Sequence, residues 1–260
     1  MTATIISVTN QKGGVGKSTT AINLAAGIAT HGYQVLLVDM DPQGNATSGL
    51  GVDRGALAES VYDVLLKDAD IEDVIEPTST LGLHVLPATI DLAAAEIELV
   101  SAMSREQRLN GALKEVVENY DFVIIDCPPS LGLLTINAFA ASSELFIPIQ
   151  CEYYALEGVS QLLSNIKLVQ GALNPDLEVG GVILTMYDGR TKLSSDVAAQ
   201  VREYFGDKAF ETVIPRSVKL SEAPSYGEPI ESYAPMSSGG IAYRQLAKEF
   251  LKRQGLGGKK

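Results

Sequence analysis

The chain has 260 residues, of which 46% are hydrophobic, and a formal charge of −12. That length and apolar content suffice for one full core, and no run of 18 or more apolar residues or charged-then-apolar leader is present, so a cytoplasmic protein is expected. Two cysteines, Cys127 and Cys151, and two histidines, His31 and His84, lack metal-ligand spacing, which excludes a disulfide framework and a zinc site.

In chain order, an apolar run at residues 5–9 predicts the first strand. Lys12-Gly13-Gly14-Val15-Gly16-Lys17-Ser18-Thr19 follows, and residues 19–30 then read as a helix closed by Gly32. Strand, glycine-rich loop, Lys-Ser and helix are the context of a P-loop. Gly13, Gly14 and Gly16 let backbone N–H groups curl inward on a phosphate chain, and the helix adds its free amides and dipole. Lys17 is placed to reach the β- and γ-phosphates, and the Ser18 hydroxyl to ligate Mg²⁺. In the common pattern G-x-x-x-x-G-K-[ST] a glycine would stand at Gln11. Here a second lysine, Lys12, stands beside that position.

Residues 35–39 predict a buried strand that ends in Asp39 and runs into Met40-Asp41-Pro42-Gln43-Gly44-Asn45. Ligands of an open α/β sheet sit beyond the carboxyl ends of its strands, so Asp39 and Asp41 arrive on the nucleotide side. One acid suits the orientation of an attacking water, and the other the support of Mg²⁺ or its waters, Asp39 in a second shell. A strand is expected at 83–86 and a helix at 104–119 with Leu109, Leu113, Val116 and Val117 on one face. Residues 122–126 are apolar and end in Asp126, the Walker B pattern, which predicts Mg²⁺ held through water. Cys127-Pro128-Pro129-Ser130 then forms a stiff loop suited to sensing a γ-phosphate. Further strands fall at 145–149, 181–185 and 212–214, and further helices at 156–170, 194–205 and 241–254.

Short β-branched strands alternating with helices predict an α/β fold with a mostly parallel, doubly wound sheet of the P-loop type. One ATPase domain is expected over residues 1–254, with a flexible tail at 255–260. Charge is segregated: residues 53–98 carry eleven acids against Arg54 and Lys67, and residues 241–260 carry six bases against Glu249. Residues 186–220 hold six bases and five acids, no electrostatic footprint by themselves.

KGGVGKST resembles the deviant Walker A motif of the ParA/MinD ATPases. DxDPQGN at 39–45 is similar to that family's switch I, and DCPPSLGLLTINA at 126–138 to its switch II. Across its length the chain resembles the ParA/Soj partition ATPases. The resemblance implies ATP and Mg²⁺ as cofactors and an ATP-bound homodimer. Within it Lys12 reaches the partner's nucleotide, a charge supplied in trans like an arginine finger. It also implies that Asp41 activates water and that Pro215-Arg216-Ser217 holds the adenine through Pro215 and Ser217, although many relatives have Asn at 217. The segment Cys151-Glu152-Tyr153-Tyr154-Ala155-Leu156-Glu157-Gly158 is placed near the dimer face. Arg190 and Lys219, extended by Lys192, are implied to bind double-stranded DNA without sequence preference, on the nucleoid. A ParB-type centromere-binding partner is implied to stimulate hydrolysis.

The alternative is a MinD-like membrane ATPase. Its cue is the basic helix at 241–252 with Ile241, Leu246, Phe250 and Leu251, which a helix packed on the sheet explains more simply. An iron–sulfur reductase of related loop type finds no cluster motif at Cys127 or Cys151; both read as small core residues. No membrane contact is expected.

Overall fold

Among the described residues eight strands form one sheet: β1 (Thr4–Val8), β2 (Val35–Asp39), β3 (Glu76–Pro77), β4 (Leu83–Leu86), β5 (Phe122–Asp126), β6 (Glu144–Gln150), β7 (Glu178–Tyr187) and β8 (Ala209–Pro215). The computed structural model describes residues 3–153, 155 and 159–259. The order is β3-β4-β2-β5-β1-β6-β7-β8. Only β3 at the edge is antiparallel to its neighbour; every other pairing is parallel.

Parallel strands covered on both faces must be apolar at successive positions, which is why these runs show no polar alternation. In β2, Val35 and Leu37 enter one helical layer and Leu36 and Val38 the other. The first layer contains α1 (Lys17–Ala29) and α2 (Asn45–Gly49), together with α10 (Val218–Glu222), α11 (Ile230–Tyr233) and α12 (Ser238–Arg253). On the second lie α3 (Val61–Leu66), α4 (Ile71–Val74), α5 (Leu92–Glu98), α6 (Arg108–Val116), α7 (Leu133–Ala141), α8 (Val159–Ala172) and α9 (Lys192–Phe205).

The seven expected strands are present, and β3 adds a short edge strand that a Glu-Pro pair does not announce. Leu109, Leu113, Val116 and Val117 are buried as their spacing predicted. Helix α7 was not anticipated. It is buried between sheet and helices, apolar almost all round, and so carries no 3.6-residue stripe. Tyr154, Leu156, Glu157 and Gly158, including the expected start of the helix at 156, lie outside the described residues, as does Lys260.

The apolar face of α12 is spent inside the molecule. Leu246, Phe250 and Leu251 are buried, and the Phe250 ring meets Phe122 and Phe146 edge-on at 5.2 and 5.7 Å. Burying each such side chain stabilises the fold by roughly 1.5–3 kcal/mol. Ile241 alone of the four named apolar residues stays 40% exposed. Among the described residues no helix is long and apolar enough to cross a membrane. Residues 255–259, expected as a flexible tail, are laid back on the lower edge of the sheet. Tyr33 donates to the Gly257 carbonyl, and Lys259 pairs with Asp121 at 2.6 Å.

Candidate functional site

The topology opens a crevice above β1. The chain leaves β1 through α1 toward β2 on one side, and leaves β5 through α7 toward β6 on the other. Connections that part in this way leave a gap at the carboxyl ends of the strands. Register then sets the contents: Val8 and Asp39 both stand opposite Asp126, so three strand exits meet at one level.

The glycine-rich loop rises from β1 and turns into α1. Gly14 (φ +72°) and Gly16 (φ +89°) occupy the left-handed region that other residues adopt at a cost. Gly16 is the N-cap of α1 and supplies no side chain, so the first-turn amides keep no side-chain acceptor. The loop is tied down from outside: Asn10 donates to the Pro148 carbonyl and accepts from Lys12 N, while the Thr185 hydroxyl donates to the Val15 carbonyl at 2.8 Å. Lys17 is buried, and its ammonium donates to the Lys12 carbonyl at 3.3 Å. Burial lowers its pKa, with Asp126 and Asp41 opposing that shift. Lys12 is exposed at the mouth, and its side chain has no hydrogen bond or ion pair among the described residues.

The three acids are buried but differently employed. Asp39 accepts from Thr47 N and the Thr47 hydroxyl on Oδ2 (both 2.8 Å) and from Asp41 N on Oδ1. The Thr47 hydroxyl in turn accepts from Ala88 N. Asp39, expected to support Mg²⁺ from a second shell, therefore pins the loop that carries Asp41. Burial lifts its pKa to about 6 against these hydrogen bonds. Asp41 is 7% exposed and lines the cleft beside Lys17 and Gln43, whose amide it accepts at 2.9 Å. Asp126 is fully buried, and neither carboxylate oxygen has a hydrogen-bond partner among the described residues. The Ser18 hydroxyl faces it without completing a hydrogen bond. Desolvation, with Asp39 repelling it, holds its pKa well above the ordinary carboxylate range. A bare buried carboxylate beside a hydroxyl and a lysine fits a hard divalent cation carrying phosphate.

The cleft over the loop has a volume of about 670 Å³ and adjoins a second hollow of about 210 Å³ walled by Pro215, Ser217, Leu220 and Tyr243. Phosphate-sized and base-sized spaces are thus joined, and Gly16, Thr19 and Met186 border both. Met186 has φ +50°, an uncommon conformation for a residue with a long side chain. It and Thr185 went unread in the sequence because a strand end carries no signal for either role. The Ser217 hydroxyl makes no hydrogen bond among the described residues.

The cations named for DNA lie at the same end of the sheet, since the exits of β7 and β8 are paired (Tyr187 with Pro215). Two of the three are engaged at home. The Arg190 guanidinium holds Asp188 through two hydrogen bonds of 2.9 and 2.8 Å, which pulls the Asp188 pKa down to about 2. Lys219 pairs with Glu222 at 2.7 Å. Lys192, at the start of α9, is exposed.

Fold and cleft together define a P-loop nucleoside triphosphatase with two loop lysines. A family model described as an AAA domain matches residues 3–179. The sporulation initiation inhibitor protein Soj of Bacillus subtilis is 60% identical over 94% of this chain and 97% of its own. Among solved structures, cobyrinic acid a,c-diamide synthase of Mycobacterium smegmatis, with bound ATP analogue and magnesium, is 40% identical, covers 97% of this chain and 96% of its own, and has a TM-score of 0.85. The septum site-determining protein MinD of Pyrococcus horikoshii, complexed with Mg-ADP, is 30% identical over 97% of this chain and 98% of its own, with a TM-score of 0.77. The chain belongs to the Soj/ParA family of chromosome-partitioning ATPases and is an ATP hydrolase.

Proposed function

We propose that the chain is an ATP-driven switch in chromosome partition, in which ATP closes two copies face to face and the dimer holds DNA. Residues 1–254 act as a single ATPase domain. Lys12, Gly13, Gly14, Val15, Gly16, Lys17, Ser18 and Thr19 cradle the phosphates, while Pro215 and Ser217 take the base. Ser18 and Asp126 hold Mg²⁺, the latter through water. When bound, the ion neutralises phosphate charge. Asp41 orients the attacking water, and Lys12 completes the site of the opposite copy.

The observation that carries this reading is Lys12, an exposed ammonium next to Gly13 at the edge of the cleft that Asp41 lines, with no partner among the described residues. A second copy is the partner of matching chemistry. Arg190, Lys219 and Lys192 bind duplex phosphates without reading bases, and dimerisation doubles that weak patch. A ParB-type protein stimulates hydrolysis, which frees the dimer from the nucleoid.

Co-sedimentation with duplex DNA and with anionic liposomes, each with ADP and with a nonhydrolysable ATP analogue, tests the proposal. Pelleting with DNA in the analogue alone is expected. Retention on liposomes in place of DNA would establish the membrane reading instead.

A further inference from the structure

We infer that Glu96, on the outer helix α5, is a positioning residue for ATP hydrolysis, holding the far end of the loop that follows Asp126. The inference rests on reading residues 127–132 as the γ-phosphate sensor. That loop runs into α7, whose N-cap, Gly132, offers no side chain to the free amides. Glu96 supplies the missing acceptors from another helix: Leu133 N donates to Oε2 at 2.8 Å and Leu134 N to Oε1 at 3.4 Å.

Gly132 has φ −101°, which any residue adopts, so backbone freedom does not explain the glycine. Close approach does: a Cβ there would land on the Glu96 carboxylate. The segment is closed further by the Thr135 hydroxyl, which donates to the Ser130 carbonyl at 2.6 Å. The loop is therefore anchored at one end by β5 and at the other by a carboxylate from α5. A local Ser or Asp at the N-cap would cap α7 from within the same segment. Capping from α5 instead makes the loop's position depend on where that outer helix sits. Its buried residues Leu92 and Ala95 hold it to the core, while Ile97 is 77% exposed.

Glu96→Ala, Glu96→Gln, Gly132→Ala and the Glu96→Ala/Gly132→Ala pair, made in the full chain, test this by steady-state ATPase. Glu96→Ala is expected to lower kcat about tenfold with the KM for ATP within about twofold, since misplacing a reacting group costs rate more than binding. Glu96→Gln, which keeps an acceptor, recovers most of the rate. Gly132→Ala matches Glu96→Ala, and the double variant loses no more than either single change. An unchanged kcat in Glu96→Ala, a loss confined to KM, or additive losses in the pair would overturn the inference. If Glu96→Ala fails to fold, Glu96→Gln and Gly132→Ala carry the same comparison. Amide hydrogen exchange of residues 130–134 in the wild type, with ADP and with a nonhydrolysable ATP analogue, tests the underlying sensor reading separately. Identical protection in both states would remove that reading, whatever the variants do.

Discussion

Two groups of charges share one end of the sheet and stand in opposite conditions. The carboxylate of Asp126 is sealed from water with no hydrogen-bond partner, whereas Arg190 and Lys219 are solvated and already hold Asp188 and Glu222. A buried polar group left unsatisfied is expensive, so its presence argues by itself for a ligand that satisfies it. An exposed ion pair is weak, screened by water and salt, and argues for nothing beyond itself. The cleft thus declares its chemistry through a deficit, and the cation face conceals whatever chemistry it has by being complete.

The contrast breaks most visibly at Lys12, the one loop cation without a partner. Lys12→Ala is expected to retain nucleotide but to lower stimulated kcat by about 10³-fold, the lower range for a charge supplied in trans. Sedimentation velocity should show the ATP-dependent dimer lost, and an undiminished dimer would return Lys12 to the status of a solvated charge. Next comes Asp41→Ala, which should slow hydrolysis by about 10²-fold or more while nucleotide and dimer persist. Turnover at the wild-type rate would take Asp41 out of the reaction.

Smaller effects are expected on the cation face. Arg190→Ala with Lys219→Ala should leave ATPase activity intact and flatten the salt dependence of DNA retention by about one unit of slope for each phosphate contact removed. An unaltered slope would move the patch elsewhere. The smallest change sharpens the comparison: Asp188→Asn releases Arg190 from its partner. DNA affinity measured at fixed salt should then rise, by no more than about fivefold because a fully exposed pair is weak. A fall would mean that Asp188 orients the guanidinium rather than competing with DNA.

Asp39, Asp41 and Asp126 were legible in the sequence because each lies at a strand exit, and the strands were readable as apolar runs. The P-loop was equally local, a strand, a turn and a helix within about thirty residues. What escaped was written in contacts between distant segments. Nothing in the neighbourhood of Glu96 says that it caps a helix beginning at Leu133, and nothing near Met186 says that its backbone turns left-handed. Helix α7 escaped for a related reason: buried on all sides, it has no polar face to set its period. The hold of Asp39 on its own loop, through bonds accepted from Thr47 and Asp41 N, escaped because no spacing rule specifies the shape of that loop.

The position of β1 in the middle of the sheet bears on how the protein is made. The phosphate loop leaves the ribosome before most of the sheet, and β1 gains its neighbours only when β5 and β6 have been translated. The helix carrying Lys17 is backed by α12, which is synthesised after every strand of the sheet, through the hydrogen bond of Thr20 with Tyr243. A nascent chain therefore displays the nucleotide motif long before it owns the walls that make the motif a site. Capture of ATP, and any pairing it drives, is deferred until α12 has emerged.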